Sequence, residues 1–166
     1  MGGSSGGGPS RRDLSKLVEL AKKTLRETGQ ESKCNVFISF AYEDLREVNL
    51  LRGQAKNENS ELEFNDWSLR EPFDSKRAEY IKQGIRDRIK QSSVMLVYLS
   101  NKTVQSKWVD WEIRESIKLG KGVLAVYKGV VPPKTVPSAI TEYKIKSIKW
   151  TQSGLADAIQ KARRSD

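Results

Sequence analysis

Val94-Met95-Leu96-Val97-Tyr98-Leu99, a loop, and then Ser106-Lys107-Trp108-Val109-Asp110-Trp111-Glu112-Ile113-Arg114-Glu115-Ser116-Ile117-Lys118-Leu119-Gly120 set out the strand-then-helix unit that the remaining chain repeats. Its opening six residues are the most apolar run in the chain and read as a central strand buried on both faces. The second part reads as a helix. At about 100° per residue, Val109, Ile113, Ser116, Ile117 and Gly120 fall on one stripe, which makes a core face. Trp108 and Glu112 share a second stripe beside it. A carboxylate is therefore expected at the border between core and solvent, next to an indole, while Glu115 and Lys118 can take the solvated side. Trp111 points away from Trp108 and is a candidate for a protein contact.

Outward from this pair the alternation of strand and helix repeats. Asn35 to Ala41 is a short apolar run, a buried strand, and Asp44 to Ala55 is a helix with Leu45, Val48, Leu51 and Ala55 on one face. Leu62 to Trp67 alternates apolar and polar residues, as a strand nearer the sheet edge does. Ser68 to Phe73 is a loop, and Asp74 or Ser75 can cap a helix running to about Gln91, with Ala78, Ile81, Ile85 and Ile89 as its stripe. Val123 to Tyr127 is another strand. Val130 to Tyr143 carries three prolines and reads as mostly irregular. Ile145 to Trp150 is a last, weaker strand, and Thr151 or Ser153 caps a final helix with Leu155, Ile159 and Ala162 inside. This order predicts an α/β fold: a five-stranded parallel sheet in the flavodoxin-like order 2-1-3-4-5, with helices on both faces. Ligands bind such sheets outside the carboxyl ends of the strands. That edge collects Phe40, Tyr42, Glu43 and Asp44, then Asp66, Trp67 and Ser68, then Ser100 and Asn101; Cys34 sits at the opposite edge.

Residues 1–10 are Gly/Ser-rich and read as a flexible linker or tag remnant. Residues 11–33 hold an amphipathic helix, with Leu14, Leu17, Val18, Ala21 and Leu25 on its stripe and Gly29 as its stop. It reads first as an extra helix packed on the flank, and second as a dimerising or tethering arm. Residues 34–166 form the α/β domain. A single cysteine, no apolar run near membrane length and no signal-type N-terminus predict a cytoplasmic protein without a membrane anchor. The chain has no histidine, which excludes Ser-His-Asp and Cys-His nucleophiles and His-ligated zinc; one cysteine excludes Cys-rich zinc, so no metal site is expected. The net charge of +9 suggests a nucleic-acid partner, but residues 101–151 hold ten basic and four acidic side chains while residues 34–100 hold ten and eleven. No dense basic run with interleaved aromatics is present, so a solvated basic face or an anionic small ligand is expected instead of nucleic acid.

Val36-Phe37-Ile38-Ser39-Phe40, followed by Tyr42 and Asp44, resembles the first box of TIR domains. Trp108-x-x-x-Glu112-Ile113 resembles their Trp-Cys-x-x-Glu-Leu helix motif, with Val109 in place of Cys. Together with Asn65-Asp66-Trp67-Ser68 and Glu71-Pro72, these are similar to the TIR-like family that includes the TIR protein of Thoeris anti-phage defence. The resemblance runs from about Asn35 to Trp150, and the second box departs from it: the Arg-Asp-x-x-Pro-Gly loop is replaced by Ser68 to Asp74.

The resemblance implies cleavage of NAD at the nicotinamide–ribose bond, as an NAD glycohydrolase or ADP-ribosyl cyclase. The product would be a linear or cyclised ADP-ribose signal, read by a downstream effector in anti-phage immunity. It matches Glu112 to the family's catalytic glutamate. Ser39 and Asp44 can then orient the ribose, and Phe40, Tyr42 and Trp67 can stack on nicotinamide or exclude water, with Trp108 beside the carboxylate. Each has a plainer role: Ser39 can satisfy backbone, Asp44 can cap a helix, and the aromatic residues can be core. NAD is the substrate here and no cofactor is required, because nicotinamide leaves as a neutral molecule and needs no general acid. The alternative is a non-enzymatic TIR-like module that works by self-association. A phosphoacceptor receiver would need an Asp after the third strand, where Leu99-Ser100-Asn101 stands; no glycine-rich phosphate loop supports a simple nucleotide binder.

Overall fold

A doubly buried central strand needs apolar cover on both sides, and the alternation of its side chains shows which elements supply it. The computed structural model describes residues 10–27, 33–66, 72–151 and 154–163. The elements are α1 (Arg11–Glu27), β1 (Cys34–Ser39), α2 (Leu45–Glu58), β2 (Leu62–Asn65), α3 (Ala78–Gln91), β3 (Val94–Leu99), α4 (Lys107–Lys118), β4 (Gly122–Tyr127), α5 (Ser138–Glu142), β5 (Ser147–Lys149) and α6 (Leu155–Ala162). All strand pairs are parallel and the order is β2-β1-β3-β4-β5, as expected for the flavodoxin-like class. The chain divides into two units, Met1–Lys33 and Cys34–Asp166.

Within the second unit, odd and even strand positions feed two cores. Val36, Ile38, Leu96, Tyr98, Leu124 and Val126 pack with Val48, Leu51 and Ala55 of α2 and Leu155 and Ile159 of α6. Phe37, Met95, Val97, Leu99 and Ala125 pack with Ile81, Ile85 and Ile89 of α3, Val109 and Ile113 of α4, and Ala139 and Ile140 of α5. All six residues of β3 are buried, as a central strand of a doubly covered sheet must be. Cys34 opens β1 and is buried, and desolvation pushes its thiol pKa up.

Several boundaries differ from the sequence expectation for local reasons. Residues 72–77 form turns, with Ser75 N–H bonded to Pro72 O and Ala78 N–H to Ser75 O, so α3 starts at Ala78 and neither Asp74 nor Ser75 caps it. The proline-rich segment contains α5, entered from Pro137 and fixed to α4 because Asp110 Oδ1 accepts from Ala139 N–H at 2.9 Å. The cap position of α6 is Gly154 at φ +87°, not Thr151; Ser153 lies outside the described residues. Glu58, from the end of α2, accepts from Ala156 N–H at 3.2 Å and serves this helix start from a distance. Gly120, placed on the α4 stripe by its spacing, is exposed at φ +74° and ends the helix instead.

In the first unit, Ser10 is no longer part of a linker. Its hydroxyl accepts from Asp13 N–H while Asp13 Oδ2 accepts from Ser10, a reciprocal cap that starts α1. Leu14, Leu17 and Val18 of the predicted stripe are exposed. Among the described residues no helix is long and apolar enough to cross a membrane.

Ile113 is fully buried where α4 meets the sheet. Ile113→Ala is expected to lower the unfolding free energy by about 3 kcal/mol through lost burial and the cavity left behind, read by urea denaturation. A loss under about 1 kcal/mol would mean that α4 is not seated on the sheet as described.

Candidate active site

Two serine–carboxylate pairs form at the carboxyl ends of the central strands. Ser39 ends β1 two residues after Phe37, so the strand period turns it toward α4. Ser39 is 1% exposed, and its hydroxyl donates to Glu112 Oε2. Glu112 lies one turn after Trp108 on α4, and because helical side chains lean toward the N-terminus, it leans toward the carboxyl edge of the sheet. It is 5% exposed, not at the solvent border that its stripe suggested. Among the described residues Ser39 is its one hydrogen-bond partner. Burial pushes its carboxyl up to about 8, and the Ser39 bond acts in the opposite direction; among the described residues no charged neighbour contributes.

The second pair joins Ser100, just after β3, to Asp44. Asp44 holds the N-cap position of α2 but makes no capping bond there; its Oδ2 accepts from Ser100 Oγ at 2.5 Å. Ser100 is itself fixed, since its N–H bonds Thr103 Oγ1 at 3.1 Å and its Oγ accepts from Lys102 N–H at 3.0 Å. Burial raises the Asp44 pKa, opposed by the Ser100 bond and the Lys102 charge, with Glu43 and Glu47 adding to the rise. Burial first, and then Asp44 and Glu47, push Tyr98 up to about 12.

Beside the start of α4 lies an open cleft of roughly 970 Å³, walled by Tyr42, Phe73, Trp108, Lys102, Gln105 and Lys107 among others. Trp108 meets Phe73 edge to face at 4.8 Å, and the Lys82 ammonium stands 4.4 Å from the Phe73 centroid. Lys107 pairs with Asp74 at 3.3 Å.

Of the residues expected at the site, Tyr42 and Trp108 line the cleft. Ser39 and Glu112 meet each other, and Asp44 meets Ser100, but none of these three lines it. Phe40 turns to the opposite core beside α2, where the Arg52 guanidinium lies 5.6 Å from its ring. Its position one residue from Ser39 forces this, since neighbouring strand positions face opposite sides. Trp67 lies outside the described residues.

Two readings of α4 are corrected. Trp111 does not stand apart from Trp108, because the rings meet edge to face at 6.1 Å and Trp111 packs on the core below Arg86 and Lys82. Glu115 is buried and pairs with Arg86 at 2.9 Å instead of facing solvent. Lys102, Lys107 and Phe73 also wall the cleft and were not among the expected site residues. Their signal was position alone, in the loops at the ligand edge, and no local pattern marks a cleft wall.

The arrangement offers a carboxyl that burial keeps mostly protonated at neutral pH and that, among the described residues, has no cation against it and one hydroxyl to orient it. Bringing a cation against it would favour its ionised form. A group of this kind can stabilise positive charge developing on a bound molecule.

Residues 37–131 match the family described as Thoeris protein ThsB, TIR-like domain. No curated protein matches the chain in sequence. Among solved structures, it is similar to a pilus assembly-related protein from Burkholderia pseudomallei K96243, at 12% identity over 80% of this chain and 90% of that one, TM-score 0.47. It is also similar to the CMP N-glycosidase BcmB of Clostridium botulinum, at 13% identity over 76% and 98%, TM-score 0.45. A third similar structure is that of the TIR domains of the activated Roq1 resistosome recognising the pathogen effector XopQ, at 19% identity over 78% of each chain, TM-score 0.45. The matched segment spans more than half of the chain and includes Ser39, Asp44, Ser100 and Glu112, and on that match the chain belongs to the TIR-like domain family of the Thoeris protein ThsB.

Proposed function

We propose that this TIR-like domain cleaves NAD at the nicotinamide–ribose bond, with Glu112 as the catalytic carboxylate and Ser39 as the group that positions it. The observation that carries the reading is the buried Ser39–Glu112 pair at the ligand edge of the sheet, with no cation against it among the described residues. In the reaction the C1′–N bond breaks and its electron pair goes to the nicotinamide nitrogen, which leaves neutral. The ribose becomes an oxocarbenium ion. Ionised Glu112 faces that charge. Water then adds at C1′ and loses a proton, giving ADP-ribose; attack by another group of the same molecule gives a cyclised product. The substrate's own pyridinium charge helps to ionise Glu112 as it arrives. Because Glu112 and Ser39 are almost closed to solvent, the resting chain is expected to be slow. Self-association that shifts the Trp108–Phe73 wall would raise the rate, and the ADP-ribose-type product would act on an effector in anti-phage defence.

The protonation state has a stability consequence. Glu112 has its carboxyl raised from the ordinary 4.5 to about 8. Its contribution is therefore intact below the ordinary value and is lost as pH rises through 8, amounting to a cost on the order of 3 kcal/mol at pH 7. A residue kept only for packing would gain nothing from that cost.

Nicotinamide release from NAD should be measurable at high protein concentration, and Glu112→Gln should reduce it by about 100-fold or more. Absence of release at any concentration, or an undiminished rate in the variant, contradicts the reading. The kcat/KM profile should rise with pH to a plateau above about 8, where free Glu112 is ionised. The kcat profile should rise at lower pH, because the bound cation assists ionisation. In thermal melts the same Glu112→Gln variant should be more stable than the parent, with the gain growing from pH 5 to pH 9. A variant that is less stable throughout would assign Glu112 a structural role.

A further inference from the structure

The reaction centre accounts for the buried pairs but not for the cleft beside them. At roughly 970 Å³ the cleft stands near the top of the range for small-molecule sites, about 300–1,000 Å³. Two of its walls are lysines. Lys102 is exposed, its backbone is held by Ser100 Oγ at 3.0 Å, and its charge acts on the carboxylate of Asp44, with no closer ion pair among the described residues. Among the described residues Lys107 pairs with Asp74 alone, at 3.3 Å, with both side chains about two-thirds or more exposed. A pair that open to water contributes little and exchanges readily for a stronger anion. Tyr42, Phe73 and Trp108 supply the apolar surface.

We propose that this cleft holds the diphosphate of a dinucleotide through Lys102 and Lys107, with Lys107 giving up Asp74 for a phosphate oxygen. The proposal rests on Glu112 being the reacting carboxylate, because that places the remainder of the dinucleotide beside the start of α4. Lysine is suited to the task as a mobile point charge with three donors. Asp74 and Glu43, on the same walls, oppose a polyanion. The site is therefore tuned by the balance of these lysines against the carboxylates on the walls and Asp44 beside Lys102, and Asp74 acts as a built-in competitor for Lys107.

Calorimetric titration of the full chain with ADP, which lacks nicotinamide riboside, tests the cleft apart from the reaction. Lys102→Gln and Lys107→Gln should each weaken ADP binding roughly tenfold, the size of a lost charge-assisted hydrogen bond. Asp74→Asn should tighten it, an effect that general surface charge would not single out from Asp157→Asn on α6. Binding of nicotinamide riboside should be unchanged in both lysine variants, and circular dichroism should show the parent fold in all of them. The proposal is overturned if ADP does not bind at roughly millimolar concentration, or if the double lysine variant binds it as the parent does. The two readings fail separately. NAD turnover with a KM unmoved by the lysine changes removes the cleft and leaves Glu112 in place. Lysine-dependent ADP binding without turnover in any assembled state does the reverse.

Discussion

The site depends on how α4 is seated on the sheet. Val109 and Ile113 pack it onto the same core as Phe37, Val97 and Leu99, and this apolar contact sets the depth of Glu112. One turn of helix separates Trp108, on the cleft wall, from Glu112, which is nearly closed to solvent. The register of the sheet does the rest. Ser39 pairs with Val97 across β1 and β3, so the end of β1 stands where α4 passes. Moving β1 by one residue would turn Phe40 toward Glu112 and Ser39 to the other core. The serine–carboxylate contact is thus a readout of hydrophobic packing, and burial keeps the carboxyl neutral at rest.

The second pair shows the same logic on the other side of the sheet edge. Asp44 gives up helix capping for a bond to Ser100, and Ser100 is in turn shaped by a hydroxyl turn with Thr103. These bonds tie the segments after β1 and β3 together, beside the cleft whose walls include Tyr42 and Lys102. Charge around the cleft is mixed, so the net +9 of the chain says little about this site; the placement of two lysines and two carboxylates says more. Elsewhere the excess lies on exposed positions such as Lys118, Lys134 and Lys144, a solvated basic surface.

Much of the fold was legible because hydrophobic period is a strong signal in a doubly covered sheet. The run from Val94 to Leu99 and the stripe Ala78, Ile81, Ile85, Ile89 were found as they stand. Helix starts were harder, because turns held by backbone bonds, as at Pro72–Ser75, leave no mark in the apolar pattern. The short α5 was hidden among prolines, and its tie to Asp110 is a tertiary contact. At the site, the family motif pointed to Glu112, but spacing alone put it at the solvent border. A helix stripe gives direction, not depth; depth follows from the neighbouring strand and helices. Glu115 was misplaced for the same reason, since its partner Arg86 comes from a different helix.

Burial holds Glu112 as a neutral acid, and in the proposed reaction it becomes charged when a cationic substrate arrives. Nuclear magnetic resonance of the full chain with carbon-13-labelled glutamate carboxyls, assigned through Glu112→Gln, measures this directly. Glu112 is expected to titrate near 8 in the free protein, with a midpoint that moves down when nicotinamide riboside is added. A midpoint near the ordinary 4.5, unmoved by that cation, would contradict it.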